Sequence, residues 1–317
     1  MNKVVILGAT GMLGSMLLEY FSRQDSFELI ATVRNKADMA SLERLYPRVG
    51  FRYLDAEVCS EAEILSVAAD ASWVINAIGL IKQRIVDSDD VLVEKAVRIN
   101  SQFSFLLMKA AKNGGFKVIQ VATDCVYSGL TGHYPEAAIH DCHDVYGKTK
   151  SLGEVFAQSV YNLRCSIVGP ERRSKLSLLN WFLSQDRNSR INGFTNHMWN
   201  GITTLHFAKI SRGIIEYGLA VPNRHHIVPE GEITKDGLLR LFAEAYGRED
   251  ILINAVQAGT AVNRTLITEN PAFNHALWKA AGYPCPPTIS EMIFELAEYQ
   301  KKNWGQAAGC ENLRVGD

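Results

Sequence analysis

Short runs of apolar and β-branched residues alternate with segments of helical apolar spacing through the first half of the chain. The runs that predict strands are 3–7, 27–33, 51–54, 73–78, 116–122 and 160–168, and the helical segments are 14–22, 60–70, 91–112 and 146–159. Strands that alternate with helices in this way predict βαβ units and a parallel sheet covered on both faces.

Beyond Gly169-Pro170 the pattern becomes irregular. Helical stretches at 176–185, 204–217, 234–246 and 289–301 are mixed with turn-rich segments. We therefore predict an α/β protein, with a Rossmann-type doubly wound parallel sheet over residues 1–170. A smaller, mostly helical lobe over 171–317 should cover the carboxyl edge of the sheet, and a segment near 202–217 should return to the first domain.

Composition narrows the class of protein without identifying it. The chain has 317 residues, of which 47% are hydrophobic and 21% charged, as in globular proteins with a substantial core. Lys plus Arg number 33 and Asp plus Glu 34, so the formal net charge is -1. This balance gives no reason to expect nucleic acid or an anionic membrane as a partner, and no apolar run approaches the roughly 20 residues of a spanning helix.

The cysteines bear on the compartment. The six of them, at positions 59, 125, 142, 165, 285 and 310, lie far apart, and none forms a pair or cluster with metal spacing. The first apolar run, 4–7, leads directly into glycines and does not resemble a signal peptide. We expect a cytoplasmic protein with reduced thiols and no metal.

A glycine-rich stretch stands between the first predicted strand and the first predicted helix, with the spacing GxxGxxG. Glycines at such a turn let the backbone approach a pyrophosphate, and the helix N-terminus attracts its charge. The alternative is that they serve packing alone, but their position favours a dinucleotide site. The residues of this candidate site are Gly8, Thr10, Gly11, Met12, Leu13 and Gly14.

The end of the second predicted strand distinguishes two cofactors. An NAD site places a carboxylate there to bind the ribose 2′-hydroxyl, but this strand ends in Val33-Arg34-Asn35-Lys36. Arg34, helped by Lys36, suits a 2′-phosphate. The alternative interpretation is a solvated basic turn. We expect NADP(H), with NAD(H) as the second choice.

Tyr146 and Lys150 are four residues apart and therefore share one face of the predicted helix 146–159. The reference pKa of tyrosine is about 10. An ammonium roughly 4 Å away favours the phenolate by about 4 kcal/mol at an effective dielectric near 20, or about three pKa units. Tyr146 is then a candidate general acid near neutral pH.

Upstream of that pair, a predicted strand ends in Val121-Ala122-Thr123-Asp124-Cys125. Together with the glycine loop, Tyr146 and Lys150, this resembles the extended short-chain dehydrogenase/reductase family, in the branch of dTDP-4-dehydrorhamnose reductase and related nucleotide-sugar enzymes. The matching stretches are GATGMLG, VATDCVYSG, VYGKTKSLGE and LRCSIVGP. The resemblance covers about the first 170 residues, and the rest matches only in general layout.

The resemblance implies a role for each matching residue. Thr123 would hydrogen-bond the reacting sugar oxygen, Tyr146 would be the general acid, and Lys150 would bind the nicotinamide ribose and tune Tyr146. The other implied cofactor residues are Asp55 near the adenine, Ala77 and Gly79 beside the nicotinamide ribose, Asn100 as structural and relay residue, and Val168 near the carboxamide. A backbone-satisfying role for Asn100 and a turn role for Asp55 stay open.

Cys125 departs from the branch, in which this position is usually tyrosine. The family's 4,6-dehydratases carry glutamate here, so dehydration is not expected. GDP-L-fucose synthase has a cysteine two residues after its catalytic serine and pairs it with a histidine, for which His197 is the candidate in this chain. Cys125 is therefore either a group that transfers protons or a small residue of the pocket wall.

The second lobe should hold a nucleotide-sugar. The substrate-binding candidates are Thr123, Asp124, His197, Trp199, Asn200 and Arg264, while His225-His226 is expected to be an ordinary strand pair. The leading interpretation is an NADP-dependent reductase of the C4 ketone of a nucleotide-activated deoxysugar. An epimerase or epimerase/reductase that uses Cys125 is the alternative, and a non-catalytic dinucleotide-binding regulatory subunit is a third. The expected partners include no nucleic acid and no membrane, and a homodimer is allowed.

Overall fold

The computed structural model describes residues 2–173 and 175–307, without the side chains of 305–307. The strands are β1 (Asn2–Leu7), β2 (Phe27–Val33), β3 (Val49–Tyr53), β4 (Trp73–Asn76), β5 (Lys117–Thr123), β6 (Val160–Cys165), β7 (Ile167–Val168), β8 (Arg190–Phe194), β9 (His197–Trp199), β10 (Ile202–Thr203), β11 (Arg224–His226), β12 (Ile233–Thr234), β13 (Leu252–Val256) and β14 (Val262–Asn263). The α-helices are α1 (Met12–Phe21), α2 (Met39–Leu45), α3 (Glu61–Val67), α4 (Asp90–Ala96), α5 (Phe103–Gly114), α6 (Val145–Leu152), α7 (Leu178–Leu183), α8 (Thr204–Tyr217), α9 (Lys235–Tyr246), α10 (Pro271–Ala280) and α11 (Ile289–Ala307).

Seven parallel strands form the central sheet of the described chain, in the order β11-β6-β5-β4-β1-β2-β3. The order changes direction at β1, because β2 and β3 continue to one side and β4 to β6 to the other. A ligand crevice forms at such a switch point, outside the carboxyl ends of the strands. The predicted Rossmann-type doubly wound sheet is confirmed.

The alternation of side chains along β1 shows how the sheet is covered. Val4 and Ile6 belong to the apolar cluster that includes α1 and α8, whereas Val5 and Leu7 belong to the cluster that includes α3 and α5. Successive residues of a strand point to opposite faces, so an apolar residue at every position requires a helical layer on both sides. The continuous apolar run in the sequence has this physical cause.

The first domain is completed by residues from the second half of the chain. Helix α8, which covers the segment near 202–217, packs against α1. The chain then supplies β11, which pairs with β6 in parallel. In this register Arg224 lies opposite Asn162 and His226 opposite Arg164. His225 and His226 therefore lie in a strand, as predicted, but the return extends beyond 217. The division at residue 170 stays a prediction.

A buried polar network joins β11 to β6. Arg164 is fully buried, and its guanidinium lies within hydrogen-bond distance of Glu154 (Nε to Oε1, 3.0 Å), the Tyr127 hydroxyl (2.6 Å) and His226 Nε2 (2.5 Å). The ion pair with Glu154 supplies the opposite charge that a buried guanidinium needs. His226 Nδ1 is 2.8 Å from the Ile267 carbonyl oxygen. Since Nδ1 must donate there, Nε2 is the acceptor, and His226 is neutral.

Helix α6 is shorter than the sequence pattern predicts. The segment 146–159 was expected to be one helix, but the helix ends at Leu152. Gly153 lies against the Asn100 carbonyl oxygen, where a Cβ would come within 2.0 Å. The chain leaves the helix there so that Glu154 reaches Arg164. A π-helical turn over Val97–Gln102 likewise interrupts the predicted helix 91–112.

The second lobe combines helices with two small sheets that the pattern did not predict. Strands β8 and β13 form one, and β12, β9 and β14 form the other. Helix α10 was also missed, whereas α8, α9 and α11 coincide with predicted helical stretches. Across the described residues, no helix combines the length and apolar character needed to span a membrane.

Candidate active site

A cavity of about 750 Å³ lies between the carboxyl ends of the strands and the second lobe. It collects residues from Gly8 to Arg264, far apart in sequence. The predicted site residues that line it are Gly8, Thr10, Gly11, Met12, Leu13, Arg34, Asp55, Ala77, Gly79, Thr123, Asp124, Cys125, Tyr146, Lys150, Val168, His197, Trp199 and Arg264. Three others, Gly14, Asn100 and Asn200, are not part of this lining.

The three glycines of the loop do different things. Gly8 has a φ of +80°, which favours glycine, and its N–H donates to Thr32 Oγ1 at 3.0 Å. A Cβ on Gly14 would lie 2.0 Å from the Gly8 carbonyl oxygen, so this glycine serves packing. A Cβ on Gly11 would have only that oxygen nearby, at 3.5 Å. Gly11 thus faces the cavity with no packing reason to be a glycine.

Helix α1 begins beside Gly11. Among the described residues, no side chain caps this end of the helix. The N–H groups of its first turn are therefore available to an anion in the cavity, and the helix dipole favours negative charge there. This is the arrangement that a pyrophosphate requires.

The two cationic side chains of the turn after β2, Arg34 and Lys36, have different surroundings. Arg34 is exposed and lines the cavity. The ammonium of Lys36 instead lies 5.1 Å from the centre of the Tyr53 ring. Asp55 lines the cavity too, but its carboxylate accepts a bond from the Glu57 N–H at 3.0 Å, so its turn role is visible in the structure.

Thr123 and Tyr146 are brought together by a close backbone contact. Thr123 ends β5, and its Oγ1 accepts a bond from the Cys125 N–H at 3.2 Å, which starts a tight turn over Asp124–Val126. The residue after Tyr146 is Gly147, and a Cβ there would lie 2.5 Å from the Cys125 carbonyl oxygen. Glycine at 147 is what lets α6 rest on this turn.

The structure corrects the prediction that Lys150 lowers the pKa of Tyr146. Burial raises the pKa of Tyr146 above its ordinary value, and the nearby Cys125 raises it further, while Thr123 lowers it in part. The Lys150 ammonium donates to the Val121 carbonyl oxygen at 2.9 Å, and burial lowers its own pKa. Desolvation of the phenol is the largest cause of the shift, and Lys150 is not among the main groups that oppose it. Tyr146 is a neutral phenol at pH 7 and can donate a proton.

Asn100 lies in the π-helical turn and holds two elements together. Its Oδ1 accepts from the Leu80 N–H at 2.8 Å, and its Nδ2 donates to the Leu80 carbonyl oxygen at 3.1 Å and to Thr149 Oγ1 at 3.2 Å. These bonds connect the loop after β4 with α6. The backbone-satisfying alternative for Asn100 is the one that the structure shows, and the amide is engaged away from the cavity.

The predicted substrate residues divide into two groups. Asn200 binds the main chain of Leu266 through both amide atoms (2.7 and 2.9 Å) and does not line the cavity, so its contact with substrate stays a prediction. Trp199 lines the cavity and donates from Nε1 to Ser166 Oγ at 2.9 Å. Arg264 also lines it, and its Nε donates to the Tyr127 carbonyl oxygen at 2.8 Å.

The comparisons with known proteins agree with this architecture. Residues 1–172, more than half of the chain, match the family model described as RmlD substrate binding domain. The chain belongs to this family. The predicted resemblance to the extended short-chain dehydrogenase/reductases of the dTDP-4-dehydrorhamnose reductase branch is confirmed. No curated protein matches the chain.

Solved structures share the fold of this RmlD-family chain at low identity. A dTDP-4-dehydrorhamnose reductase from Clostridium acetobutylicum has a TM-score of 0.68 at 17% identity, over 94% of this chain and 99% of the other. The dTDP-4-dehydrorhamnose reductase from Bacillus anthracis, in complex with NADP, gives 0.69 at 15%, over 93% and 98%. A UDP-glucuronic acid 4-epimerase from Bacillus cereus, in complex with NAD, gives 0.71 at 17%, over 97% and 99%.

Sequence reasoning missed Lys235, a cavity residue at the start of α9. Strand β12 pairs Ile233 with Trp199 and Thr234 with Met198, which carries Lys235 to the cavity. Burial lowers the pKa of Lys235, with Asp124 and Cys125 opposing that shift. The helix 234–246 was predictable, but no local motif indicates that its first residue faces a site 110 positions upstream.

Two of the cysteines, Cys125 and Cys165, line the cavity. Burial, followed by the charge of Asp124, raises the pKa of Cys125 to about 12, and Arg264 opposes the shift. Cys310 lies outside the described residues. Within residues 2–173 and 175–307, no three His, Cys, Asp or Glu side chains come together as metal ligands would.

Proposed function

We propose that this protein is an NADP-dependent reductase that acts on the C4 ketone of a nucleotide-activated deoxysugar. The observation that carries the proposal is that Thr123, Tyr146 and Lys150 line one cavity together with the uncapped start of α1 at Gly11 and with Arg264. The helix start suits the pyrophosphate of a dinucleotide, and Arg264 suits a second anionic ligand.

The cofactor side favours NADP(H). The first turn of α1 would bind the pyrophosphate, and Arg34 would bind the ribose 2′-phosphate, because its guanidinium is exposed at the cavity. The NADP complex of the Bacillus anthracis reductase supports this choice, and the NAD complex of the Bacillus cereus epimerase keeps NAD(H) as the second. When bound, the nicotinamide supplies the hydride.

The chain's own residues supply the proton. As the ketone oxygen gains negative charge, the neutral phenol of Tyr146 donates its proton to that oxygen. The Thr123 hydroxyl donates a hydrogen bond to the same oxygen and orients the sugar. Lys150, which here binds the Val121 carbonyl oxygen, would hold a hydroxyl of the nicotinamide ribose.

The second lobe would recognise the nucleotide-sugar. The terminal nitrogens of Arg264 suit a diphosphate, since its Nε is already fixed on the Tyr127 carbonyl oxygen. Trp199 offers an aromatic wall, and His197 lies beside it on β9. The structural relatives, two dTDP-4-dehydrorhamnose reductases and a UDP-glucuronic acid 4-epimerase, support this class of substrate.

A panel of nucleotide-activated 4-keto sugars, assayed by the loss of NADPH absorbance, tests the proposal. We expect turnover with at least one deoxysugar of the panel and a preference for NADPH over NADH. Tight NADPH binding without turnover of any ketone would instead support the regulatory-subunit alternative. Absence of both binding and turnover would contradict a dinucleotide enzyme altogether.

A further inference from the structure

The segment that joins β7 to α7 lies along the cofactor side of the cavity and is tied at both ends. The Glu171 N–H donates to Asn180 Oδ1 at 3.0 Å, and Asn180 Nδ2 donates to the Glu171 carbonyl oxygen at 2.7 Å. The Glu171 carboxylate accepts from the N–H groups of Leu176 and Ser177, at 3.1 Å each. The two arginines of this segment therefore leave a fixed base.

Those two arginines reach different parts of the first domain. The Arg172 guanidinium lies 2.6 Å from the Tyr46 hydroxyl and 3.3 Å from the buried Glu19 carboxylate, so it holds the segment against α1. The Arg173 guanidinium lies 2.6 Å from Asp38 Oδ1, in the turn after β2. Both arginines line the cavity.

The contact with Asp38 brings Arg173 to the turn that carries Arg34. Asp38 ends the single 3₁₀ turn Lys36–Asp38, which begins two residues after Arg34. Arg34 and Arg173 are exposed and line the cavity, whereas Asp38 is not part of the lining. One guanidinium from β2 and one from the segment after β7 therefore meet at the place that the proposed function gives to the ribose 2′-phosphate.

Asp38 is an incomplete partner for Arg173. Its side chain is 16% exposed, yet its Oδ2 is buried and makes no hydrogen bond among the described residues. It makes no N-cap bond to α2 either. The side chain of Arg173 is 50% exposed, and an ion pair so open to solvent stabilises a protein little. The guanidinium can therefore leave this carboxylate at small cost.

A phosphate monoester is the stronger partner for a guanidinium. It carries close to two negative charges at neutral pH and offers three acceptor oxygens. The planar fork of arginine can bind two of those oxygens at once. The ribose hydroxyl of NAD(H) has no such charge and gives Arg173 no reason to leave Asp38.

We propose that Arg173 is a second binding group for the 2′-phosphate of NADP(H), and that Asp38 competes with this phosphate for the guanidinium. The inference rests on the proposed function, because it needs a dinucleotide bound at Gly11 and Arg34. It adds a determinant of cofactor choice from the segment after β7, outside the strand-end position that normally sets it. The two side chains should act with opposite sign: Arg173 favours the phosphate and Asp38 opposes it.

The adenosine end of the cofactor can be tested without catalysis. Adenosine 2′,5′-bisphosphate and 5′-AMP, which differ only in the 2′-phosphate, are titrated calorimetrically into the full-length protein. We expect the wild type to bind the bisphosphate at least about tenfold more tightly than AMP. Arg173→Ala should lose about tenfold for the bisphosphate and less than about twofold for AMP. Asp38→Asn should gain about threefold for the bisphosphate alone, because the competitor loses its charge.

A charge-balanced double variant separates direct binding from screening. Arg173→Ala combined with Asp38→Asn removes one charge of each sign. If Arg173 only neutralised Asp38, this variant would bind the bisphosphate like the wild type. Direct binding predicts a loss of about fivefold or more, because the guanidinium contact is gone.

The matched control breaks an ion pair of equal length elsewhere. Arg48 lies 2.6 Å from Asp25 and does not line the cofactor cavity. Arg48→Ala should leave the affinities for both probes within about twofold of the wild type, since an exposed pair contributes little.

Each other outcome has a separate meaning. An equal loss for bisphosphate and AMP in Arg173→Ala would make this arginine a support of the segment and overturn the inference. So would a wild-type affinity of the double variant, or no gain in Asp38→Asn. Selectivity that survives in Arg173→Ala but is lost in Arg34→Ala would overturn the inference and leave the proposed function intact. A wild type that binds neither probe, or both equally, would count against the proposed NADP-dependent function itself.

Discussion

The two halves of the cavity are built from different materials. On the sheet side, part of the lining is main chain and small residues such as Gly8, Gly11 and Ala77. On the lobe side the lining includes long side chains, above all Lys235 and Arg264. The glycine loop is constrained by the backbone at Gly8 and Gly14, while the lobe side can be altered one side chain at a time. Cofactor binding should therefore be the constant property and substrate choice the variable one.

The largest effect should come from Gly14→Ala. The new Cβ would meet the Gly8 carbonyl oxygen at 2.0 Å, where only the backbone can move. We expect the free energy of unfolding to fall by about 3 kcal/mol, the upper end for overpacking, measured by urea unfolding. The matched variant is Gly11→Ala, whose new Cβ would lie 3.5 Å from the Gly8 carbonyl oxygen. It should fold normally but bind NADPH at least about tenfold more weakly. Unchanged NADPH affinity in Gly11→Ala would show that the loop serves packing alone.

Tyr146→Phe tests the junction between the two halves. Removal of the phenol should lower kcat by about 10²–10⁴-fold, as is usual for a positioned acid, with the NADPH dissociation constant nearly unchanged. Because burial raises the pKa of Tyr146, wild-type reduction should persist through neutral pH and decline only where alkali deprotonates the phenol. A variant that keeps more than a tenth of the turnover would mean that another group supplies the proton.

Arg34→Ala tests the cofactor choice at the sheet side. One charge-assisted contact to the 2′-phosphate contributes roughly 1.5–3 kcal/mol, so the variant should lose about 10- to 100-fold in NADPH affinity and little in NADH affinity. Lys36→Ala is the control, since its ammonium lies over the Tyr53 ring, and its effect should be several-fold smaller. Equal affinity of the wild type for NADPH and NADH in a fluorescence titration would show that Arg34 faces solvent and does not bind the 2′-phosphate.

The smallest effect is expected from His226, in the edge strand β11 that pairs with β6. Burial lowers the pKa of His226, and the Arg164 charge lowers it further. Since the unfolded chain takes up this proton near pH 6.5 and the folded chain does not, stability is complete above that pH and falls as the pH drops below it. The slope contributed is at most about 1.4 kcal/mol per pH unit. His226→Gln should flatten the curve of unfolding free energy against pH, whereas the exposed His275→Gln should not.

The sheet side was largely predictable because its signals are local. The strand over 27–33 and the helix over 204–217 follow from apolar spacing, and both were placed at their observed bounds. The lobe side was not predictable from local signals. The pairing of β12 with β9 brings Lys235 to the cavity, and a bond to the Leu266 main chain holds Asn200 away from it. The predicted lowering of the pKa of Tyr146 was wrong for the same reason. The burial that raises this pKa depends on the whole fold, and the four-residue spacing to Lys150 carries no information about burial.

The strand that ends the sheet has a consequence for how the protein is made. The Arg164 guanidinium meets His226 only after 62 further residues have been added. Until then a nascent chain presents β6 as an open edge, which is a template for pairing with other chains. A gene fragment cut after Pro170, where the family-like motifs end, would carry that edge permanently. Residues 1–170 therefore form a complete sheet only when they are expressed together with the part of the lobe that supplies β11.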